Sequence, residues 1–523
     1  MMGAMLLSRV LGLVRETVIT SQFGFRLDAD SLSIALAIPD LIFMLIAGGG
    51  LSSAFIPVFS EFLHTERERE AWDLFSVVVT VCSIAAIVLI VVAWLCAGPI
   101  VSWFAVGKSF QNLQFVVPKA TLLSRILLPA QFAFLIGSLL IATLYSRNRF
   151  AVPGLAPNVY NVGIIVGALL GPATGLGVAG VVWGAMIGAV IGNLVMPIGA
   201  MLRLGGHFRF SLDLKTPGVA KFFKLLGPII FGFSLPSMTL ILSQKFASPY
   251  GEGANYTIRA ANNLIQAPAA IFGQALALGA FPALSQFFAQ GRMDRYRLQL
   301  NKTFRQVIYL TVPSSVLIWV LAPIIVELVY GYGKGRSPAD LARLTECLQA
   351  YTFGLVAWSL QPVLMRGFFS MHRTLKPIAL STAITGLFLL MLWWIRPGGP
   401  SPMPFQSIAW ATDLAFVLLI FLLYSALQRD VGKLDAAGSW LTLGKSLVAA
   451  AVMGAATFGM AALLPPHAHK IMVAAAFVLI FLVSAWIYVW ITGRIKMPEI
   501  EYVDRAMARL AARRGSAPKA EDP

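Results

Sequence analysis

Arg9, Arg15 and Glu16 stand in the stretch SRVLGLVRET, residues 8–17, near the start of an otherwise strongly apolar chain. A guanidinium is always charged, and its planar fork can hold two oxygens of a phosphate at once. At the centre of a bilayer such a charge costs about 2.5–3.5 kcal/mol even on permissive scales. Two arginines in a membrane helix therefore face an interface, a carboxylate or water. One reading has Arg9 snorkelling to the inner interface and Arg15 pairing with Glu16 or another acid. The other has both arginines lining a hydrated cavity and attracting an anion. Helical spacing puts Ser8, Gly12, Arg15/Glu16 and Thr20 on one broad face, and Val10, Leu13, Val14 and Val18 on the other.

The elements that position these residues are membrane helices. The chain has 523 residues, 58% of them hydrophobic and 12% charged, with a mean hydropathy of +0.79. Runs of about 20 apolar residues recur from end to end, each able to cross a hydrocarbon core of about 30 Å. The fold class is all-α, polytopic and membrane-embedded. About 14 transmembrane helices are expected, centred near residues 12, 45, 85, 130, 162, 188, 235, 270, 317, 355, 385, 415, 452 and 481. A β-barrel would show short alternating segments instead. The N-terminus lacks the features of a cleavable signal peptide. Cys82, Cys96 and Cys347 are widely spaced and read as apolar packers.

The net charge of +17 is a matter of topology. With the N-terminus inside, inner loops and tail collect about 25 Lys and Arg against about 8 outside. This bias puts both termini in the cytoplasm and makes anionic lipids, rather than nucleic acid, the partner of the surplus charge. No nucleotide loop, nucleophile elbow, zinc helix or paired-carboxylate pattern is present, so no enzyme, cofactor or metal site is expected. His467 and His469 read as exposed loop histidines.

Further cations are embedded at Arg125, Lys245, Arg259, Arg366 and Lys445. The acids that could balance them are few: Glu16 and Asp413 within spans, Asp30 and Asp40 flanking span two. A cavity with surplus positive charge takes an anionic ligand. Asp30 either caps span two or pairs with Arg15 or Arg26. Asp413, in AWATDLAF, either binds a cation or proton or answers Lys445. Pro39, Pro57, Gly227-Pro228 and Pro236 bend spans two and seven, as packing kinks or as hinges.

The chain also repeats itself. TVITSQFGF (17–25) aligns with TLILSQKFA (239–247), SAFIPVFSEF (53–62) with GAFPALSQFF (279–288), and SRNRFAVP (146–153) with SMHRTLKP (370–377). The offset covers six spans, an even number, so both copies share one orientation. The domains expected are an N-lobe at 1–204, a C-lobe at 217–430, two further helices at 440–493 and a basic cytoplasmic tail at 494–523. Two like-oriented six-helix lobes describe a rocking transporter with its substrate site between them.

SRVLGLVRE, DADSLSIALAIPDLIFMLIAGGGLSSAFIPVFSEF and RNRFAVPGLAPNVYN closely resemble the MurJ (MviN) lipid II flippase family of the multidrug/oligosaccharidyl-lipid/polysaccharide exporter superfamily. The resemblance covers essentially the whole chain. It implies two six-helix lobes plus two C-terminal helices, a bacterial inner-membrane location, and transfer of an undecaprenyl-pyrophosphate-linked peptidoglycan precursor to the outer leaflet. It also implies a cationic cavity in which arginines hold the pyrophosphate, and the cell-wall synthesis machinery as a partner class. Arg9 and Arg15 match the family's first-helix arginines, Arg366 a helix-ten arginine, and Asp30 the acid before the second helix. Glu16 stands where the family usually has Asp. Phe43, Met44 and Asn263 replace family arginines, and Arg259, one turn before Asn263, is placed to substitute. The substrate-binding set implied is Arg9, Arg15, Arg259, Asn263 and Arg366, with Glu16 and Asp30 as ion-pair or gating residues and Asp413 as an ion-coupling candidate. The rival readings are an exporter of another lipid-linked oligosaccharide or of drugs, and a non-transporting scaffold for cell-wall enzymes.

Overall fold

The computed structural model describes residues 2–42, 50–105, 110–147, 149–234, 239–464 and 469–501. Phe43, Met44, Gly48, Gly49, Pro236, His467 and the tail from residue 502 lie outside the described residues. The regular elements among the described residues are all helices, with no strand among them.

The first half of the chain forms α1 (Met2–Phe23), α2 (Leu27–Ile42), α3 (Gly50–His64), α4 (Glu68–Leu95), α5 (Ala97–Phe104), α6 (Phe110–Leu127), α7 (Ala130–Ser146), α8 (Ala151–Ala173), α9 (Ala179–Val190), α10 (Met196–Arg203) and α11 (Val219–Ser234). The second half forms α12 (Thr239–Ala247), α13 (Ala254–Pro268), α14 (Ala275–Ala289), α15 (Met293–Tyr330), α16 (Pro338–Thr352), α17 (Leu355–Ser370), α18 (Leu375–Ile395), α19 (Ser407–Val431), α20 (Ala436–Ala462) and α21 (Lys470–Arg494).

Among the described residues, ten helical segments are long and apolar enough to cross a membrane. They coincide with ten of the expected centres. The other four are different in kind. Helix α1 carries three charges across its middle, at Arg9, Arg15 and Glu16. The centres near 45 and 235 touch undescribed residues. The segment near 355 is broken at Phe353-Gly354 between α16 and α17. The repeat pairs fall on matching elements: α1 with α12, α3 with α14, and the α7–α8 junction with the α17–α18 junction. Pro39 and Pro57 lie inside continuous helices.

The chain groups into two compact units. One comprises Met1–Asn263, Val329–Cys347 and Thr374–Thr412; the other comprises Leu264–Leu328, Leu348–Arg373 and Asp413–Pro523.

In the first unit, an aromatic core of Phe55, Phe59, Trp72, Phe75 and Phe222 joins α3, α4 and α11, with Leu139 of α7 beside it. Trp72 meets Phe59 and Phe75 edge-on at 5.4 and 5.5 Å, a favoured geometry for aromatic rings. Its indole donates to Glu68 at 3.3 Å, and Glu68 also receives Arg147 of the SRNRF motif. Helices α8 and α9 touch backbone to backbone. Gly163, Gly167 and Gly171 face Gly180, Gly184 and Gly188, and a Cβ on Gly180 would stand 2.5 Å from the Gly167 carbonyl oxygen. Small residues every fourth position allow this approach without a hydrophobic driving force between helices.

In the second unit, polar side chains tie α15, α20 and α21 together. Tyr488 donates to the Tyr309 carbonyl at 2.8 Å, the Tyr309 and Thr492 hydroxyls are 2.9 Å apart, and those of Thr457 and Ser484 are 2.7 Å apart. His469 accepts the Ile471 amide at the start of α21.

Candidate functional site: a buried arginine–carboxylate pocket

Helix α1 presents Arg15, Glu16 and Thr20 to α8 and α13 of the same unit. The helical spacing makes this possible, because Glu16 and Thr20 are one turn apart. Arg15 donates through Nε and Nη2 to Glu16 Oε1, at 3.2 and 2.6 Å, and through Nη1 to Asn161 Oδ1 at 3.1 Å. Asn161 in turn donates to the Ser8 carbonyl at 3.3 Å, so α8 grips α1 at two levels. Glu16 is 7% exposed. It also accepts from the Tyr256 hydroxyl and from Asn263 Nδ2, both at 3.4 Å. The Tyr256 hydroxyl lies 2.8 Å from that of Thr20.

Beside this network Arg259 pairs with Asp40 at 3.1 Å. Its other terminal nitrogen, Nη1, is buried with no hydrogen-bond partner among the described residues. Arg15, Glu16, Ser33, Asp40, Tyr160 and Arg259 line a cavity of about 70 Å³. Two guanidiniums thus converge on one small cavity whose remaining wall, with Ile19, Leu32, Leu127 and Ile164, is largely aliphatic. Each is paired with a carboxylate, so the charge of this pocket balances, in contrast to the surplus expected from composition. Arg15 and Arg259 together have ten N–H donors, of which four are used in these contacts. What remains suits an oxyanion that accepts several bonds at once.

A profile of the family described as lipid II flippase MurJ matches residues 19–479. The chain belongs to the MurJ family. The lipid II flippase MurJ of Burkholderia cenocepacia is 28% identical over 387 residues, covering 73% of this chain and 74% of that protein. The probable lipid II flippase MurJ of Vibrio cholerae is 26% identical over 473 residues, covering 86% of each. Among solved structures, a lipid II flippase MurJ in an inward closed conformation superposes with a TM-score of 0.75 at 20% identity, covering 93% of this chain and 97% of that one. An inward-facing MATE family multidrug transporter of the MOP superfamily superposes with a TM-score of 0.65 at 12% identity, covering 81% and 94%. The fold is that of these transporters.

Within this MurJ-family chain Arg15, Glu16 and Arg259 line the pocket, and Asn263 reaches it only through Glu16. Asn263 engages Glu16, while Arg259 reaches Asp40, so the exchange of positions on α13 leaves one donor turned to each carboxylate. Arg9 is exposed on α1, and no ion pair reaches it among the described residues. Arg366 belongs to the second unit, where its guanidinium approaches the Gln274 carbonyl at 3.5 Å.

Asp30 is fully buried. It accepts the Gly253 and Tyr256 amides, at 3.0 and 3.1 Å, at the start of α13. Its carboxylate therefore caps α13 rather than its own helix, and it holds the helix that carries Tyr256, Arg259 and Asn263. Asp30→Ala would strip these amides of their acceptor. A loss of about 0.5–2 kcal/mol, the usual worth of a cap, is the least expected. Thermal unfolding of the purified chain measures it, and an unchanged midpoint would contradict the role.

Asp413 is 5% exposed, and its Oδ2 accepts the Gly354 amide at 2.7 Å. It thus stands at the broken start of α17. Among the described residues no salt bridge joins it to Lys445. The second unit also holds an apolar groove of about 850 Å³, lined by Ile308, Trp319, Phe353, Phe421, Trp440 and Leu447.

Asn161, Tyr256 and Asp40 enter the network without having been singled out as its members. The NVYN of the family-like stretch and the Asp of AIPD were the signals available for Asn161 and Asp40.

Proposed function

We propose that the chain moves lipid II, an undecaprenyl-pyrophosphate-linked peptidoglycan precursor, from the cytoplasmic to the outer leaflet of a bacterial inner membrane. The observation that carries this reading is the convergence of Arg15 and Arg259 on one small cavity in a chain of the MurJ family. Arg15, Arg259 and Asn263 hold the pyrophosphate, with Arg9 drawing it in from the cytoplasmic end; Arg366 is a further candidate contact for the substrate. Glu16 and Asp40 hold the guanidiniums in place when no substrate is bound. Asp413 is the ion-coupling candidate.

The lobes at 1–204 and 217–430 rock about the site, with both termini in the cytoplasm. The apolar groove bordered by α15, α17, α19 and α20 is suited to a polyprenyl tail, since its lining is as apolar as the bilayer hydrocarbon the tail leaves. The membrane potential is a fitting driver, because one elementary charge is worth about 2.3 kcal/mol per 100 mV. The cell-wall synthesis machinery is the partner class this reading brings. A cation-exporting drug pump would need cavity acids in excess of bases; here two of each are balanced.

The test supplies this chain to a cell depleted of its own flippase and measures the lipid II accessible at the outer leaflet. Restored accessibility is expected. Failure of a well-expressed, membrane-inserted chain would redirect the reading to a different lipid-linked glycan.

A further inference from the structure

One pair of embedded cations is not used by the pocket. Lys245, near the end of α12, places its ammonium 3.1 Å from the centroid of the Trp103 ring on α5. Arg396, at the end of α18, lies with its guanidinium carbon 5.5 Å from the Trp393 ring. Helices α12 and α18 pack together. The Tyr250 hydroxyl, shortly after Lys245, reaches the carbonyl of Ile395, the residue before Arg396, so the two cations stand at the same joined helix ends. Neither has a carboxylate within ion-pair distance among the described residues. Arg396 Nε is buried with no hydrogen-bond partner.

Three acids of this end of the first unit are engaged elsewhere. Asp28 holds Lys119, Glu252 accepts the Leu27 amide, and Glu346 accepts Gln406. Trp103, Trp393 and Trp394 are each about half exposed. The Tyr250 hydroxyl, beside the same turn, donates to the Ile395 and Met403 carbonyls, so the end of α12 and the end of α18 are held at one level.

Two cations kept close without an acid cost Coulomb energy unless an anion lies between them. Tryptophans exposed around them mark the level of lipid headgroups, where one edge of the ring is apolar and the other wet. We propose that Lys245 and Arg396 form a phosphate-ester site at the membrane interface, on the end of the first unit that the basic-residue bias turns outward. The indole of Trp103 orients the ammonium, and the terminal nitrogens of the Arg396 guanidinium supply further donors. The ligand is a lipid phosphate. Its source is either a bilayer phospholipid such as phosphatidylglycerol or the pyrophosphate of a polyprenyl lipid. The site is independent of the arginine pocket and of the transport reading.

The test uses the purified full chain in detergent, with phosphatidylglycerol, phosphatidylcholine and undecaprenyl pyrophosphate added separately and bound lipid counted by native mass spectrometry. Lys245→Gln/Arg396→Gln is compared with Lys245→Arg/Arg396→Lys, which keeps both charges and controls for folding. Two basic residues at an anionic surface correspond to about a 30-fold loss of lipid affinity. That loss is expected in the glutamine variant and not in the charge-keeping one. Loss for phosphatidylglycerol assigns the site to a bilayer phospholipid. Loss confined to undecaprenyl pyrophosphate assigns it to a polyprenyl lipid. Unchanged binding of both, or equal affinity of the wild type for phosphatidylcholine and phosphatidylglycerol, overturns the proposal.

Discussion

Replacing Arg15 and Glu16 together by glutamine is expected to leave a folded chain that no longer transports. The double change matters because Glu16 is nearly inaccessible to water. Arg15→Ala alone would leave that carboxylate buried with its cationic partner gone, a defect of about 3–5 kcal/mol. An inactive single variant would then be ambiguous between misfolding and lost binding. Two glutamines keep hydrogen-bonding groups against Asn161, Tyr256 and Asn263 while removing both charges. Each charge-assisted bond from Arg15 to a pyrophosphate oxygen is worth about 1.5–3 kcal/mol, so losing two of them lowers productive binding by about a hundredfold or more. In a flippase-depleted cell, the double variant should reach wild-type levels in the membrane and fail to support growth. Full rescue by it would remove Arg15 from the substrate site.

Gly184→Leu is expected to prevent assembly of the first unit. A side chain there starts on top of the Gly163 carbonyl oxygen, and its Cβ would also stand 3.0 Å from the Gly167 Cα. Both obstacles are backbone atoms of α8 and cannot rotate away. Overpacking of a well-packed core typically costs about 1–3 kcal/mol where side chains can yield, and here they cannot. Separating α8 from α9 would also displace Asn161, whose bonds to Arg15 and Ser8 fix α1. The control is Gly199→Leu on α10, where a Cβ meets nothing within 4 Å. Size-exclusion profiles of the two solubilised variants decide the matter. Gly199→Leu should elute as the wild type does, and Gly184→Leu should be aggregated or absent. Identical profiles would mean that the glycine contact is dispensable.

Features that depend on neighbours along the chain are legible from residue order alone. The helical, membrane-spanning class follows from runs of apolar residues. Ten of the expected spans are apolar helices for that reason. The first was already marked as polar by Arg9, Arg15 and Glu16. The Arg15–Glu16 pair joins adjacent residues and was among the alternatives open from residue types alone.

Pairings between distant residues come from the packing of the helices. Arg15 and Asn161 are 146 positions apart, Arg259 and Asp40 are 219 apart, and Tyr256 and Glu16 are 240 apart. No periodicity encodes such pairings. They exist because α1, α2, α8 and α13 present polar faces to one another inside an apolar surrounding, where each charge must find a partner. Asp30 makes the same point. Its type and place suggested a cap for its own helix or a partner for Arg15 or Arg26, yet its carboxylate caps a helix that begins 224 residues later. The residue type set the chemistry, an acceptor for orphan amides, and only the packing chose the amides. The charge balance of the pocket was hidden in the same way. Asp40 could be seen to flank a span, but that it neutralises Arg259 depends on how α2 meets α13.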